Sequence, residues 1–326
     1  MRNVTSEGNK ITDQQSRACA EVTQGLEKEI DNLHVLSVRK RVFEVLFFTL
    51  LYLVGLSIAL LFGGETSLML IAILCMGLAF NALPILVHEG LHGLLAKNDR
   101  VNAIVTFLFG LPIVVSASAY RVTHANHHVA LGRKLDYGTY GQYTSNPFLV
   151  WIAYFTQLFA GSFLYMVFIP FLGFWSASKR TRLYIVIEYI LIISTFVLFF
   201  RYVPSDVILM YWFYPLLVMN IFTNIRGVAS HALGNVENIY LSSRTISCSH
   251  VTALLFLHGN YHVEHHLFQK IPSYNLPKTH SLIWDRLPEA LYDTSYLHFL
   301  FGMVKAASKG SLEPMGIVYP SKNISS

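Results

Sequence analysis

Long apolar runs separated by short polar connections occupy most of the chain up to Phe222. The first two runs, Val42–Phe62 and Ser67–Val87, are joined by the short segment Gly63–Thr66. Each run is close to the roughly 20 residues that a helix needs to cross about 30 Å of hydrocarbon. A glycine pair in the connection favours a tight turn. The pattern therefore predicts a hairpin of two membrane-spanning helices, with both outer ends on the cytosolic face.

Four further apolar runs follow, and they differ in length and continuity. Tyr184–Phe200 and Val207–Phe222 are predicted to cross the membrane. Val101–Ala119 is short and is interrupted by a glycine and a proline, whereas Phe148–Trp175 has 28 residues with a Gly-Ser pair near its middle. Composition agrees with a membrane protein, because 53% of the 326 residues are hydrophobic and only 13% are charged. Soluble domains of this length rarely have such a composition.

The net charge of +5 comes from basic clusters beside apolar runs, such as Arg39–Arg41 and Lys179–Arg182. Clusters in these positions are typical of the cytosolic ends of membrane helices. A nucleic-acid-binding protein would show a broad basic surface instead, so that class is excluded. The polar first forty residues have no apolar core behind a short basic start, and we therefore expect no cleaved signal peptide.

Histidines form three tight groups. Eight of the fourteen histidines are found in these groups, and each group contains pairs that share one face of a helix at spacings of three or four residues. Imidazole binds Zn, Cu, Fe and Ni alike, but eight or nine imidazoles are too many for one ion and about right for two. The groups are the first box (His88 and His92), the second box (His124, His127 and His128) and the third box (His262, His265 and His266).

Two alternatives remain open from spacing alone. The first box has the HExxH pattern of zinc proteases, in which two histidines hold zinc and the glutamate, here Glu89, acts as a base. That interpretation gives the second and third boxes no function. A metal transporter or zinc-dependent receptor could use all three boxes.

The longer phrase around the third box is much more specific than its histidines. Gly259–Phe268 reads GNYHVEHHLF and is followed by Ile271–Pro272 and Tyr274–Pro277. With the order and spacing of the three boxes, this phrase resembles the membrane fatty acid desaturases and their hydroxylase relatives, from about Val42 to about Leu287.

The resemblance implies a ninth ligand, on a helix between the second and third boxes, and His231 occupies that place. Many similar proteins have a glutamate before this histidine, so Ser230 is a departure from the family pattern. Glu89 and Glu264 could orient neighbouring imidazoles through their ring N–H groups. The implied ligands of two irons are His88, His92, His124, His127, His128, His231, His262, His265 and His266.

A shared metal site also constrains the topology, because the boxes must lie on one side of the membrane. Three apolar runs separate His128 from His231, so one of them cannot cross fully. The basic cluster Lys179–Arg182 indicates that Phe148–Trp175 returns to the cytosolic face. We therefore expect Phe148–Trp175 to form a re-entrant or in-plane hairpin and Val101–Ala119 to lie in the membrane plane, which leaves four crossings.

The predicted fold is thus an all-α integral membrane protein with about four transmembrane helices, in-plane or re-entrant helices, and a cytosolic helical cap that holds the di-iron site. We expect a polar cytosolic tail over residues 1–38, a membrane domain over residues 39–290 and a cytosolic tail over residues 291–326, with both termini in the cytosol. The absence of a fused cytochrome b5 domain and of organelle signals favours a bacterial inner membrane over the endoplasmic reticulum.

The resemblance implies O2-dependent desaturation of a fatty acyl chain carried on a lipid or a thioester. A hydroxylase, an acetylenase and a carotenoid ketolase or hydroxylase use similar boxes and remain alternatives. The chain has no rubredoxin-type, ferredoxin-type or flavin-binding motif, so electrons must come from a separate donor of the ferredoxin or cytochrome b5 type. Arg121, Arg133 and Lys134 flank the second box and are candidates to dock that donor, or to face lipid phosphates.

Overall fold

The computed structural model describes residues 14–130, 136 and 140–320, and over these residues the protein is mostly helical. A π-helical turn at Leu209–Phe213 joins α9 to α10. The helices are α1 (14–23), α2 (Glu27–Leu33), α3 (Val38–Phe62), α4 (Thr66–Leu91), α5 (Asp99–Gly110), α6 (Ala117–Ala130), α7 (Pro147–Ser176), α8 (Lys179–Tyr202), α9 (Ser205–Ile208), α10 (Tyr214–His231), α11 (His250–Leu255), α12 (His262–Leu267), α13 (Leu276–Ile283) and α14 (Tyr296–Ser308).

Helices α3 and α4 form the predicted hairpin. The Ser37 side chain accepts a hydrogen bond from the main-chain N–H of Lys40 and so caps the start of α3. The two helices pack closely at Gly55, where a Cβ atom would lie 2.7 Å from the carbonyl oxygen of Ala72. Helix α4 continues beyond the apolar run as far as Leu91, and its last turn carries the start of the first box.

Five helical segments in the described part of the chain are long and apolar enough to cross a membrane. They are α3, α4, α7, α8 and the continuous segment Ser205–His231. The run Val101–Ala119 is broken as expected, since α5 and α6 meet at an angle of 98°. Helices of this number, length and composition are those of a membrane protein.

The hairpin expected over Phe148–Trp175 is wrong, because α7 is one unbroken helix of 30 residues. Its Gly161-Ser162 pair serves as a helix contact rather than as a break. The N–H and the hydroxyl of Ser162 both donate to Asn224 Oδ1 on α10, over 2.8 Å and 2.7 Å. A side chain at Gly161 would come within 3.0 Å of the same oxygen.

A small three-stranded sheet was not predicted. Its strands are β1 (Arg244–Ile246), β2 (Glu289–Asp293) and β3 (Ile317–Pro320), in the order β1-β2-β3. Strand β2 runs parallel to β1, with Arg244 opposite Leu291, and antiparallel to β3. Strands of three to five residues carry too little alternation to be recognised in a sequence.

Arg244 joins this sheet to the end of α10. Its buried guanidinium donates to the carbonyl oxygens of Ala229, at 2.6 Å, and of Ala232, at 3.1 Å, and lies 3.4 Å from Asp293. The last turn of α10 is therefore held in place directly beside His231. Charge-assisted hydrogen bonds of this kind are among the stronger polar contacts in a protein.

The described residues of the two segments expected as tails, 14–38 and 291–320, are packed parts of the structure. Ala18, Val22, Ile30 and Leu33 from α1 and α2 are buried in a cluster with residues that follow the third box. Residues beyond 290 complete β2 and form α14 and β3. We call residues 14–33 and 232–320 the cap, because together they cover the end of the helices that carries the histidines.

Candidate metal centre

The first box lies where α4 ends. His88 is in the last turn, His92 is the residue that caps the helix, and their ring centroids are 4.9 Å apart. Gly90 between them allows α5 to approach, because a Cβ atom there would lie 2.0 Å from Thr106 Oγ1. The Asn102 side chain donates to the carbonyl oxygen of Gly90 over 2.8 Å. Helix α5 thus fixes the turn that presents both imidazoles.

The second box lies on α6, with His124 and His128 one turn apart and their Nε2 atoms separated by 2.9 Å. Glu188 on α8 fixes the start of this helix. Its carboxylate accepts hydrogen bonds from the Ser116 hydroxyl and from the N–H and hydroxyl of Ser118, over 2.6 to 2.9 Å. A carboxylate at a helix N-terminus satisfies free N–H groups and complements the helix dipole.

The third box forms the one and a half turns of α12, and all three of its histidines are buried. His231 ends α10 and faces them, with its Nε2 atom 2.8 Å from that of His262 and 3.3 Å from that of His266. The Nδ1 atom of His231 lies 3.2 Å from the carbonyl oxygen of Ser242. A proton held at Nδ1 by this carbonyl leaves the Nε2 lone pair free to bind a metal.

The nine histidines predicted as ligands come together in two adjacent clusters. In each cluster, the candidate ligand nitrogens lie within 4.8 Å of one another. His262 is the exception, and we include it in the smaller cluster because its Nε2 lies 2.8 Å from that of His231. The clusters touch where His128 meets His266, with ring centroids 4.6 Å apart. The five-histidine cluster contains His88, His92, His124, His128 and His265, and the four-histidine cluster contains His127, His231, His262 and His266.

The geometry and chemistry of both clusters fit bound metal ions. Two nitrogens bound at right angles to one ion, each about 2.1 Å away, lie roughly 3.0 Å apart. The Nε2 of His124 is 2.9 Å from that of His92. The Nε2 of His265 is buried and has no hydrogen-bond partner among the described residues, which fits a nitrogen whose lone pair binds a metal.

Burial favours the neutral form of His92, His265 and His266, which is the form that binds a metal. It lowers the pKa of His92 to about 3, with smaller contributions from Lys270 and Arg121. The pKa values of His265 and His266 are also held well below their ordinary value, chiefly by burial. Protons therefore do not compete with metal ions at neutral pH.

The family model described as Fatty acid desaturase matches residues 65–299, which include all nine of these histidines. The chain belongs to the fatty acid desaturase family. A comparison with curated proteins found no match to the chain. The family membership makes the protein an oxidoreductase and agrees with the resemblance seen in the third box.

In this member of the desaturase family, the side chains of Glu89 of the first box and Glu264 of the third box form their described hydrogen bonds with residues outside the boxes. Glu89 is buried and accepts hydrogen bonds from Arg41, at 2.5 Å, and from the main-chain N–H of Ser273, at 3.0 Å. Glu264 accepts from the Thr245 hydroxyl over 2.7 Å and is paired with His280. The ion pair with Arg41 leaves Glu89 unsuited to act as the base of a zinc protease.

Asp136 was missed by sequence reasoning. Its carboxylate accepts a hydrogen bond of 2.9 Å from Nδ1 of His127 and is almost fully buried. An aspartate eight residues after the second box gives no periodic signal, since the chain leaves α6 before reaching it. His280, which stands alone in the sequence, was set aside for the same lack of a nearby partner.

His258 precedes the third box by four residues but does not extend it. It belongs to neither cluster among the described histidines, and its backbone has a φ of 59°. That left-handed conformation ends the helical path before α12 begins, so the spacing of four does not place His258 on the face of His262.

A cavity of about 220 Å³ adjoins the histidines between α6, α7 and α10. Imidazoles of both clusters form one of its walls. Tyr154 of α7 also lines the cavity. The cavity therefore lies directly beside both histidine clusters.

Proposed function

We propose that the protein catalyses the O2-dependent desaturation of a fatty acyl chain at a centre of two irons held by nine histidines. The observation that carries the proposal is the convergence of three boxes and His231 into two touching imidazole clusters. The family match supports the same chemistry. Iron is the proposed metal because breaking an unactivated C–H bond requires a redox-active centre, which zinc cannot provide.

The proposed reaction converts a –CH2–CH2– unit and O2, with two electrons and two protons, into a –CH=CH– unit and two molecules of water. Irons bound at the clusters would supply the oxidising power for both C–H cleavages. The protein's own residues supply the arrangement. Burial keeps His265 and His266 neutral, Ser242 holds the proton of His231 at Nδ1, and Asp136 orients His127.

A separate ferredoxin or cytochrome b5 is the proposed electron donor. Of the candidate docking residues, Arg121 donates to the carbonyl oxygen of Gly90 over 3.2 Å, so it also supports the first box. Arg133 and Lys134 lie outside the described residues. Turnover measured with each donor alone distinguishes the two. If neither donor supports turnover, the proposal is rejected.

We further propose four membrane crossings, with the histidines and both termini on the cytosolic face of a bacterial inner membrane. His128 and His231 lie in adjoining clusters although α7, α8 and Ser205–His231 all intervene. Because an odd number of crossings cannot return the chain to the same face, one of the three helices lies in or along the membrane. We assign this role to α7. To test the assignment, a single cysteine is placed at either end of α7 and labelled with a thiol reagent added on one face of the membrane or the other.

The experiment that tests the function is gas chromatography with mass spectrometry of lipids from cells that express the wild type, His265→Ala or His250→Ala. His250 is exposed and belongs to neither described cluster, so it is a matched control. We expect new alkenes with the wild type and the control and none with His265→Ala. New alcohols instead of alkenes would identify a hydroxylase, and unaltered lipids in wild-type cells would contradict the proposal.

A further inference from the structure

The lining of the cavity beside the histidines includes many side chains with polar groups, which an alkyl chain alone would not require. Apart from the histidines, most of the residues that line it carry a hydroxyl, an amide or a charge. Polar groups that face a hydrocarbon without a hydrogen bond cost free energy. These side chains are Tyr120, Thr123, Asp136, Tyr154, Gln157, Ser162, Tyr165, Thr223, Asn224, Arg226 and Ser230.

Many of these polar groups are already engaged by the protein. Ser162 bonds to Asn224, Thr223 donates to Asn81, and Tyr154 accepts from the N–H of Leu233. These contacts satisfy Ser162, Thr223 and Tyr154, but they do not involve every polar side chain that lines the cavity.

Three side chains have no such partner. The structure gives no side-chain hydrogen bond to Tyr120, Gln157 or Arg226 from the residues it describes, and Nε of Arg226 is both shielded from solvent and unbonded. Arg226 is close enough to interact electrostatically with the hydroxyls of Tyr120 and Tyr296. No carboxylate of the described residues forms a salt bridge with Arg226, so its positive charge lacks a counter-charge there.

The charge balance of the cavity favours an anion beside Arg226. Asp136, the acid in the described lining, is hydrogen-bonded to His127. Metal ions bound to the imidazoles would add positive charge to the cavity without cancelling any. A buried guanidinium is stable only when an acceptor, best a carboxylate, satisfies it.

The volume limits what that anion can be. About 220 Å³ lies below the range of roughly 300–1,000 Å³ typical of pockets that hold drug-sized ligands. A nucleotide is too large for this space, whereas a carboxylate with a few methylenes fits.

We propose that the cavity binds the carboxylate of an unesterified acyl chain through Arg226, Tyr120 and Gln157. This inference rests on the proposed function for the identity of the chain, and it adds that the substrate is a free acid. Since the same cavity is walled by His124 and His231, the carbon that reacts lies only a few bonds from the carboxylate.

Equilibrium binding without reductant tests the proposal separately from catalysis. The purified full-length protein is titrated with radiolabelled palmitic acid and, in the same detergent, with its methyl ester. The variants are Arg226→Gln, Arg226→Lys and Tyr120→Phe, and the control is Arg201→Gln, which removes an exposed arginine from the end of α8.

We expect the wild type to bind the acid at least tenfold more tightly than the ester. Arg226→Gln should lose that preference while ester binding changes less than twofold, Arg226→Lys should retain most of it, and Arg201→Gln should leave it unchanged. Equal binding of acid and ester by the wild type, or equal weakening of both by Arg226→Gln, would overturn the proposal. Acid-selective binding in a protein that forms no alkene would reject the proposed function but support the carboxylate site.

Discussion

At the scale of single residues, the orientation of each imidazole in the two clusters depends on what its other ring nitrogen contacts. A carboxylate or carbonyl that accepts from the second ring N–H fixes the tautomer and the orientation of the ring. The structure supplies such partners to His127, through Asp136, and to His231, through Ser242. Glu89 was expected to do the same but instead forms an ion pair with Arg41.

Replacement of Asp136 by asparagine should weaken metal binding in the four-histidine cluster. The amide cannot supply the negative charge that supports His127, and loss of such a partner typically costs about 10–100-fold in metal affinity or activity. Iron affinity and turnover of Asp136→Asn are measured beside Asp206→Asn, an exposed position far along the chain. Unchanged iron affinity in Asp136→Asn would show that the contact does not support the metal site.

The sequence predicted which histidines come together where the signal was local. In the second and third boxes, the first and last histidines are four residues apart, so helical geometry alone brings each such pair into one cluster. The contacts of Asp136 and of Glu264 with His280 depend on how separate elements pack, and no spacing in the sequence encodes them.

At the scale of helices, the first and second boxes are held by contacts at one end of the helix that carries each box. Helix α4 is fixed by α5 at Gly90, and α6 is fixed by Glu188 of α8. Small residues at such crossings allow membrane helices to approach closely. The positions of the imidazoles thus depend on residues that never touch a metal.

Gly90→Ala should therefore disturb the first box. The new methyl group would lie 2.0 Å from Thr106 Oγ1, and relief of such overpacking typically costs about 1–3 kcal/mol. We expect a lower melting temperature and reduced iron content, both partly restored by Thr106→Ala. Gly64→Ala is the control, since a Cβ atom there meets nothing within 4 Å. A Gly90→Ala protein as stable and as iron-rich as the control would contradict this account of α5.

Apolar runs predicted most helices, because hydrophobic length is the dominant signal in a membrane protein. They did not predict that α7 is continuous, since the Gly161-Ser162 pair resembles a break until its partner Asn224 is known. The sheet was missed for the related reason that its short strands are defined by pairing across distant segments.

At the scale of the whole molecule, the two histidine clusters lie where α4, α6, α10 and α12 meet under the cap. The N-terminal segment takes part in this arrangement, since Gln15 donates to the carbonyl oxygen of His266 over 2.5 Å and Ala18 and Val22 are buried. Sequence patterns predicted that the three boxes lie on the same side of the membrane, but they did not predict that residues 14–33 cover the boxes.

The central claim is that nine histidines in two clusters hold two irons, and metal analysis of the purified protein by mass spectrometry tests it most directly. The account predicts about two irons per chain in the wild type and in His250→Ala. It predicts no more than about one in His265→Ala, which damages the five-histidine cluster, and in His231→Ala, which damages the other. Zinc in place of iron, or two irons retained in either cluster variant, would contradict it.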